Sequence, residues 1–253
     1  MAFDTSSAAV TAALVEVGGG PGPDLVLPEQ TMSPETMPAE TMPAETMPAE
    51  TMPDRSGSHV LAQHLTVNAR GHGEYLTPLL AACLADGGVA ASDLGAVVVG
   101  TGPGPYTGLR VGLVTAAVLA ETLGIPAYGV CSLDGIAGVY GPQAGALLVA
   151  SDARRKEVYW AQYRDGERTA GPAVSRPSDV PIEGVRAMTG AGARVYRDLI
   201  ALPLLETDYP QPQALVRCAL DRLRGTAPSD PLTPLYLRRP DAVVPGLPKP
   251  VTQ

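Results

Sequence analysis

Hydrophobic and polar positions along this chain follow two rhythms, and the switches between them mark its elements. FDTS (3–6) is a short apolar entry to a tight polar turn, and the β-prone stretch AAVTAALVEV (8–17) follows at once, which predicts a hairpin. HVLAQHLTV (59–67) predicts a third strand. In EYLTPLLAACLADGG the period changes. Tyr75/Leu76, Leu79/Leu80 and Cys83/Leu84 recur every four residues, marking one face of a helix that ends at Gly87–Gly88. The continuous apolar run AVVV (96–99), bounded by glycine, reads as a buried parallel strand. A glycine-rich stretch, a helix to Gly124 and a strand over IPAYGV (125–130) complete a first half of order βββαβαβ.

The second half restarts the same rhythm. ALLVASDAR (146–154) repeats the first strand and its acidic turn, with Asp152 placed as Asp4 is. EVYWAQY (157–163) alternates as a second strand and is followed by the polar turn RDGER; a short apolar strand covers 186–190, and ALVRCALDRLRG (214–225) has the pattern of an amphipathic helix. The tail from Ala227 holds seven prolines and reads as extended chain on the surface. A doubled βββαβα unit is the plan of the actin-like ATPase/sugar kinase fold, an α/β architecture. It predicts a first lobe over 1–132 and a smaller second lobe over 133–253.

One segment stands apart from this pattern. Residues 31–55 repeat a pentad, from TMSPE through TMPAE to TMPDR, with five of the seven methionines of the chain. A proline every fifth residue breaks both helix and sheet ladders. With glycines and prolines before it and serines after it, the stretch 18–58 reads as a disordered Pro/Glu/Met-rich insertion between two strands of the first lobe. Its role is either an acidic tether or a tolerated insertion.

The glycine-rich stretch GTGPGPYTGLRVGL (100–113) lies where a strand meets a helix N-terminus, a position whose free N–H groups favour an anion. It is not a P-loop, because no lysine follows the glycines, and Thr107 stands where a dinucleotide fingerprint needs its third glycine. Asp4, Gly102, Gly104, Thr107 and Asp152 therefore form a candidate residual nucleotide or phosphate site; the alternative is that the glycines only shape a turn and the aspartates only brace their own loops. The helix that follows carries Gly108, Gly112, Ala116 and Ala120 every four residues, and no charge from Val111 to Ala120. A helix apolar all round is buried all round. One face covers the sheet, and the other meets either the 74–86 helix or a second subunit.

Composition narrows the function classes. Among 253 residues the net charge is −8, which argues against a free-standing nucleic-acid binder. Three widely spaced cysteines make no disulfide framework and fit a reducing cytosol. The start MAFDTSS lacks the pattern of a signal peptide, and no apolar run reaches membrane-spanning length, so a cytoplasmic protein is expected. His59, His64 and His72 have no metal-ligand spacing, and Ser6, Ser7 and Ser132 with a distant histidine give no triad, so neither a metal nor a catalytic residue is predicted. Arg154, Arg155 and Lys156 form the densest basic run, either a contact for phosphate or an acidic partner surface, or a solvated turn.

The segments AFDTS (2–6), RGHGEYLTPLL (70–80), VVVGTGPGPYTGLRVG (97–112), GVCSLDGIA (129–137), SDARRKEVYWAQY (151–163) and PLYLRRPDA (234–242), in this order, resemble the TsaB (YeaZ) family of tRNA threonylcarbamoyladenosine biosynthesis. The resemblance implies the actin-like two-lobe fold and a non-catalytic subunit of the complex that modifies position 37 of tRNA. It implies a TsaD-like catalytic partner, a TsaE-like ATPase, contact with tRNA through the complex, and pairing, homodimeric pairing included, through the first-lobe helices. On that reading Leu76, Leu79, Leu80, Cys83, Gly108, Gly112, Ala116 and Ala120 are the partner-binding positions, and ATP or ADP enters only in the assembled complex. The alternative is a stand-alone actin-like ATP-dependent phosphotransferase.

Overall fold

In the computed structural model, which describes residues 1–18, 57–68, 71–225 and 227–238, the strand β1 (Ala2–Asp4) sits at the centre of a five-stranded sheet. β2 (Ala9–Val17) and β3 (Ser58–Val67) extend the sheet antiparallel on one side; β4 (Val97–Gly100) and β5 (Ala127–Val130) extend it parallel on the other. Successive side chains on a strand point to opposite faces. Phe3, Val97 and Val99 therefore share one apolar layer, and Ala2 and Val98 share the other. Burial on both faces accounts for the unbroken apolar run at 96–99. α1 (His72–Asp86) and α2 (Tyr106–Leu123) cover the first layer, and α2 ends on Gly124 with the left-handed conformation of a glycine cap.

After α3 (Ser132–Ala137), the second sheet has the order β8-β7-β6-β9. β6 (Ala146–Asp152) and β7 (Val158–Arg164) are central, β8 (Glu167–Ser175) is one edge and β9 (Ala187–Thr189) the other, parallel to β6. One face packs Leu147 and Val149 on Leu133 and Ile136 of α3; the other packs Leu148, Trp160 and Met188 with α4 (Ala191–Val195) and α5 (Arg197–Ile200). The order repeats that of the first sheet with two reductions among the described residues: the place of α1 holds only the short 3-10 turn Pro177–Asp179, and the place of β5 beside β9 holds only an isolated parallel bridge, Met188 to Leu204.

Three findings refine the sequence expectations. β8 is a strand where only a polar turn was expected, because Gly171–Pro172 interrupts its alternation and an edge position tolerates a proline. α6 (Pro212–Arg224) and the chain after it lie beyond the expected division at residue 132, yet they return to the first sheet. Leu215, Val216 and Ala219 of α6 cover the layer of Ala2, Val98 and Tyr128, while the Asp230 N–H donates to the Ala127 carbonyl (2.9 Å) and the Leu235 N–H to that of Thr101 (2.9 Å). Finally, the Gly18 N–H donates to the Gly57 carbonyl at 2.9 Å, closing the β2–β3 hairpin around the insertion. The body of the insertion expected at 18–58, with its 31–55 repeat, lies outside the described residues, as does the tail beyond Arg238. Among the described residues no helix is long and apolar enough to cross a membrane.

Candidate functional site

The β1–β2 turn and the glycine loop meet where an actin-like fold has its interlobe cleft. Asp4 is 1% exposed there. One of its carboxylate oxygens accepts the N–H and the hydroxyl of Ser6, both at 2.7 Å, and the other accepts the Ser132 hydroxyl. Ser132 also accepts the Gly102 N–H at 3.0 Å, and its own N–H donates to the Gly102 carbonyl at 2.7 Å, so one serine ties the aspartate to the glycine loop. A methyl group at Gly104 would overlap the Ser6 carbonyl. That close approach is what the glycine serves, and it turns a backbone carbonyl, not a free N–H, toward the loop.

Burial pushes the Asp4 carboxyl above its ordinary range, and the Ser132 and Ser6 hydroxyls oppose the push. The folded chain thus holds this proton more tightly than the unfolded chain. The associated stability is present below the ordinary value of 3.8 and is lost as pH rises through the folded-state value. Asp4→Asn has no proton to lose there. Its melting temperature relative to the parent chain is expected to improve as pH is raised from about 4 to about 7, measured by circular dichroism. An unchanged difference across that range would place the titration elsewhere.

Asp152 repeats the local device of Asp4, its carboxylate accepting the N–H two residues on, Arg154, at 2.9 Å. The two aspartates do not line a common cavity. Asp152 lines a small interlobe cavity with Ser7, His72, Pro105, Arg154 and Tyr209, about 40 Å³ in volume, whereas sites for small molecules run to roughly 300–1,000 Å³. Thr107 is exposed on the first turn of α2. That interlobe cavity is far smaller than a nucleoside triphosphate. Among the described residues no group of three His, Cys, Asp or Glu is placed to hold a metal ion. His72 is buried, with Nε2 2.7 Å from the Ser7 carbonyl, and thereby joins α1 to the β1–β2 turn. Burial pushes the thiol of Cys83 up to about 11 and that of Cys131 up to about 12, the wrong direction for nucleophiles.

The Gly/Ala stripe of α2 faces inward. Methyl groups at Gly108 and Gly112 would overlap the carbonyl and hydroxyl oxygens of Thr5; Ala116 is 0% and Ala120 7% exposed. The close contact expected with another subunit is made with the chain's own β1–β2 turn and sheet. Small side chains are needed there because Thr5 lies directly under the helix and donates its hydroxyl to the Gly108 carbonyl at 2.7 Å. Leu76, Leu79, Leu80 and Cys83 of α1 are likewise buried in the first core, and only Leu80 of these also reaches the surface described next. Between α1 and α2 runs an apolar groove of about 420 Å³, lined by Leu80, Leu84, Leu94, Val114, Val118 and Leu119. Val114 is 60% and Val118 57% exposed. In the sequence these valines count only as apolar flanks of the small-residue stripe, not as an exposed surface. Their signal is the offset of two residues from the small-residue stripe, which puts them on the opposite side of α2.

Three comparisons bear on these features. The family model described as TsaD, tRNA N6-adenosine threonylcarbamoyltransferase, matches residues 60–196. An uncharacterized protein of Mycobacterium tuberculosis is 51% identical over 183 residues, 72% of this chain and 82% of that protein. The tRNA threonylcarbamoyladenosine biosynthesis protein TsaB of Escherichia coli is 30% identical over 201 residues, 69% of this chain and 84% of its own. Among solved structures, YeaZ from Pseudomonas aeruginosa superposes with a TM-score of 0.66 at 23% identity, covering 93% of this chain and 97% of that one, a likeness of fold.

Proposed function

Because the chain belongs to the TsaB (YeaZ) family, we propose that it serves threonylcarbamoyladenosine biosynthesis on tRNA as a non-catalytic, cytoplasmic subunit that pairs with a TsaD-like catalytic subunit. The observation that carries this reading is the α1–α2 groove, which leaves Val114 and Val118 in water beside an apolar trough while the neighbouring polar site is closed on itself. Exposed contiguous apolar surface of this kind marks a protein interface. The residues of the chain supply no acid, base or nucleophile to the transfer. Asp4, Ser6, Ser132 and Gly102 hydrogen-bond to one another, Gly104 packs directly on the Ser6 carbonyl, and together they hold α2 at a fixed angle to the sheet, which presents the groove as one rigid surface. A TsaE-like ATPase joins the resulting pair, tRNA reaches the complex chiefly through the catalytic subunit, and a homodimer uses the same groove when the partner is absent.

The test is reconstitution. Threonylcarbamoylation of a tRNA transcript by the purified catalytic subunit should depend on added chain, and titration calorimetry of the chain alone should show no micromolar affinity for Mg-ATP. Tight Mg-ATP binding by the single chain, with phosphate transfer to an acceptor, would replace this reading with the phosphotransferase one.

A further inference from the structure

The mouth of the interlobe cleft gathers cations and aromatic rings from three distant parts of the sequence. Tyr106, on the first turn of α2, stacks on Tyr236 with ring centroids 5.0 Å apart, and the Arg110 guanidinium lies 4.2 Å from the Tyr106 ring centroid. Tyr106 is 46% and Tyr236 40% exposed. Two residues after Tyr236, the Arg238 guanidinium donates to the Ala153 carbonyl at 2.8 Å and pairs with Glu157, bringing the basic turn Arg154–Arg155–Lys156 alongside. Pro105, just before Tyr106, lines the same small cavity as Arg154. The platform and the turn are thus one continuous surface. All three residues of the turn are exposed, and all three have positive φ, at 60°, 54° and 61°. Non-glycine residues pay a steric penalty in that region, so a turn built from two arginines and a lysine is a local departure from what stability favours. Arg110, Arg154, Arg155, Lys156 and Arg238 gather here in a chain of net charge −8, with Asp152 3.6 Å from Arg154 and Glu157 paired with Arg238.

We propose that this cleft-mouth surface binds RNA directly, with Arg154, Arg155 and Lys156 on the phosphate backbone and the Tyr106–Tyr236 platform under an unstacked base. The chemistry favours RNA over an acidic protein segment, because stacked aromatic rings beside guanidinium groups suit a base with its phosphates, whereas a carboxylate-rich peptide needs only the charges. The choice of tRNA as the RNA rests on the proposed role in tRNA modification. With few cations the affinity is modest, and the contact orients an RNA that the assembled complex already holds.

The experiment titrates a fluorescein-labelled, unmodified tRNA transcript with the chain paired to the catalytic subunit, over about 50–200 mM salt. For the double variant Arg154→Gln/Lys156→Gln, affinity at the lowest salt is expected to fall several-fold, and the slope of log K against log salt to fall by about 1.4 for two lost contacts. Tyr236→Ala should weaken binding about five- to tenfold with the slope unchanged, consistent with lost stacking. Circular dichroism verifies that each variant is folded. Unaltered affinity and slope in both variants overturn the proposal, and so does a loss that size exclusion traces to weaker pairing with the protein subunit, which would make the surface protein-facing. The titration needs no modification activity, so the two readings fail separately. If modification depends on the chain but the variants bind tRNA normally, only the RNA surface falls; if the slopes change as expected but modification ignores the chain, only the subunit role falls.

Discussion

Ala116→Arg is expected to lower the melting temperature of the chain by about 10 °C or more, or to abolish the cooperative transition, when followed by circular dichroism. Ala116 is fully buried among Phe3, Val97, Val99 and Leu113. A guanidinium there has no carboxylate partner and no route to water, and an unpaired buried charge costs several kcal/mol against a total stability of about 5–15 kcal/mol. The size of the side chain adds an overpacking cost of about 1–3 kcal/mol. Val114→Arg, two positions away on the outer side of α2, should leave the transition within about 2 °C, because Val114 is already 60% exposed. A wild-type melt for Ala116→Arg would mean that the small-residue stripe faces outward after all.

Val118→Glu is expected to do the opposite: leave the fold intact and remove pairing. Val118 is 57% exposed in the single chain and lines the groove with Leu84, Leu94 and Leu119. Complete burial of a valine contributes about 1.5–3 kcal/mol, and more than half of that remains available to a partner here. A carboxylate in its place loses that contribution and adds an unpaired charge to an apolar seam. Together these should exceed about 2.8 kcal/mol, a hundredfold in affinity. Size exclusion with light scattering, at concentrations where the parent pairs, reads the loss directly, and tRNA modification should fall with it. A variant that pairs normally would move the interface off this groove.

The two substitutions mark how far the sequence could be read. The strands, α1, α2 and their order were legible because the first sheet is built from strong periodic signals: Val97 to Val99 as an unbroken apolar run, Leu76, Leu80 and Cys83 on one helical face. The inward face of α2 was not. Gly108, Gly112 and Ala116 permit close approach by any backbone, and what chooses between a partner and the chain's own turn is Thr5, distant in sequence but in contact through space. Ser132 was noticed only as a nucleophile candidate, since nothing local to GVCSLDG announces that its hydroxyl will meet Asp4. β8 escaped because Gly171 and Pro172 erase its alternation, and the packing of α6 on the first sheet was not legible because an amphipathic pattern states that a helix has an apolar side without stating what lies under it. The clusters joined by long-range contacts were thus the least legible, and the polar site is made almost wholly of such contacts.

The hydrogen bond between Gly18 and Gly57 has a practical consequence. It fixes the exit and re-entry points of residues 19–56 next to each other, at the end of a hairpin whose strands pair through to Val17 and Ser58. Closing a loop across such a base changes in free energy by only about 0.6 kcal/mol for each doubling of its length. The position is therefore a docking port for engineering: an epitope, a fluorescent protein or a surface tether can be spliced between the two glycines. It lies on the β3 edge of the first sheet, two strands from β1, so a reporter there could follow assembly through the α1–α2 groove without being carried on either helix.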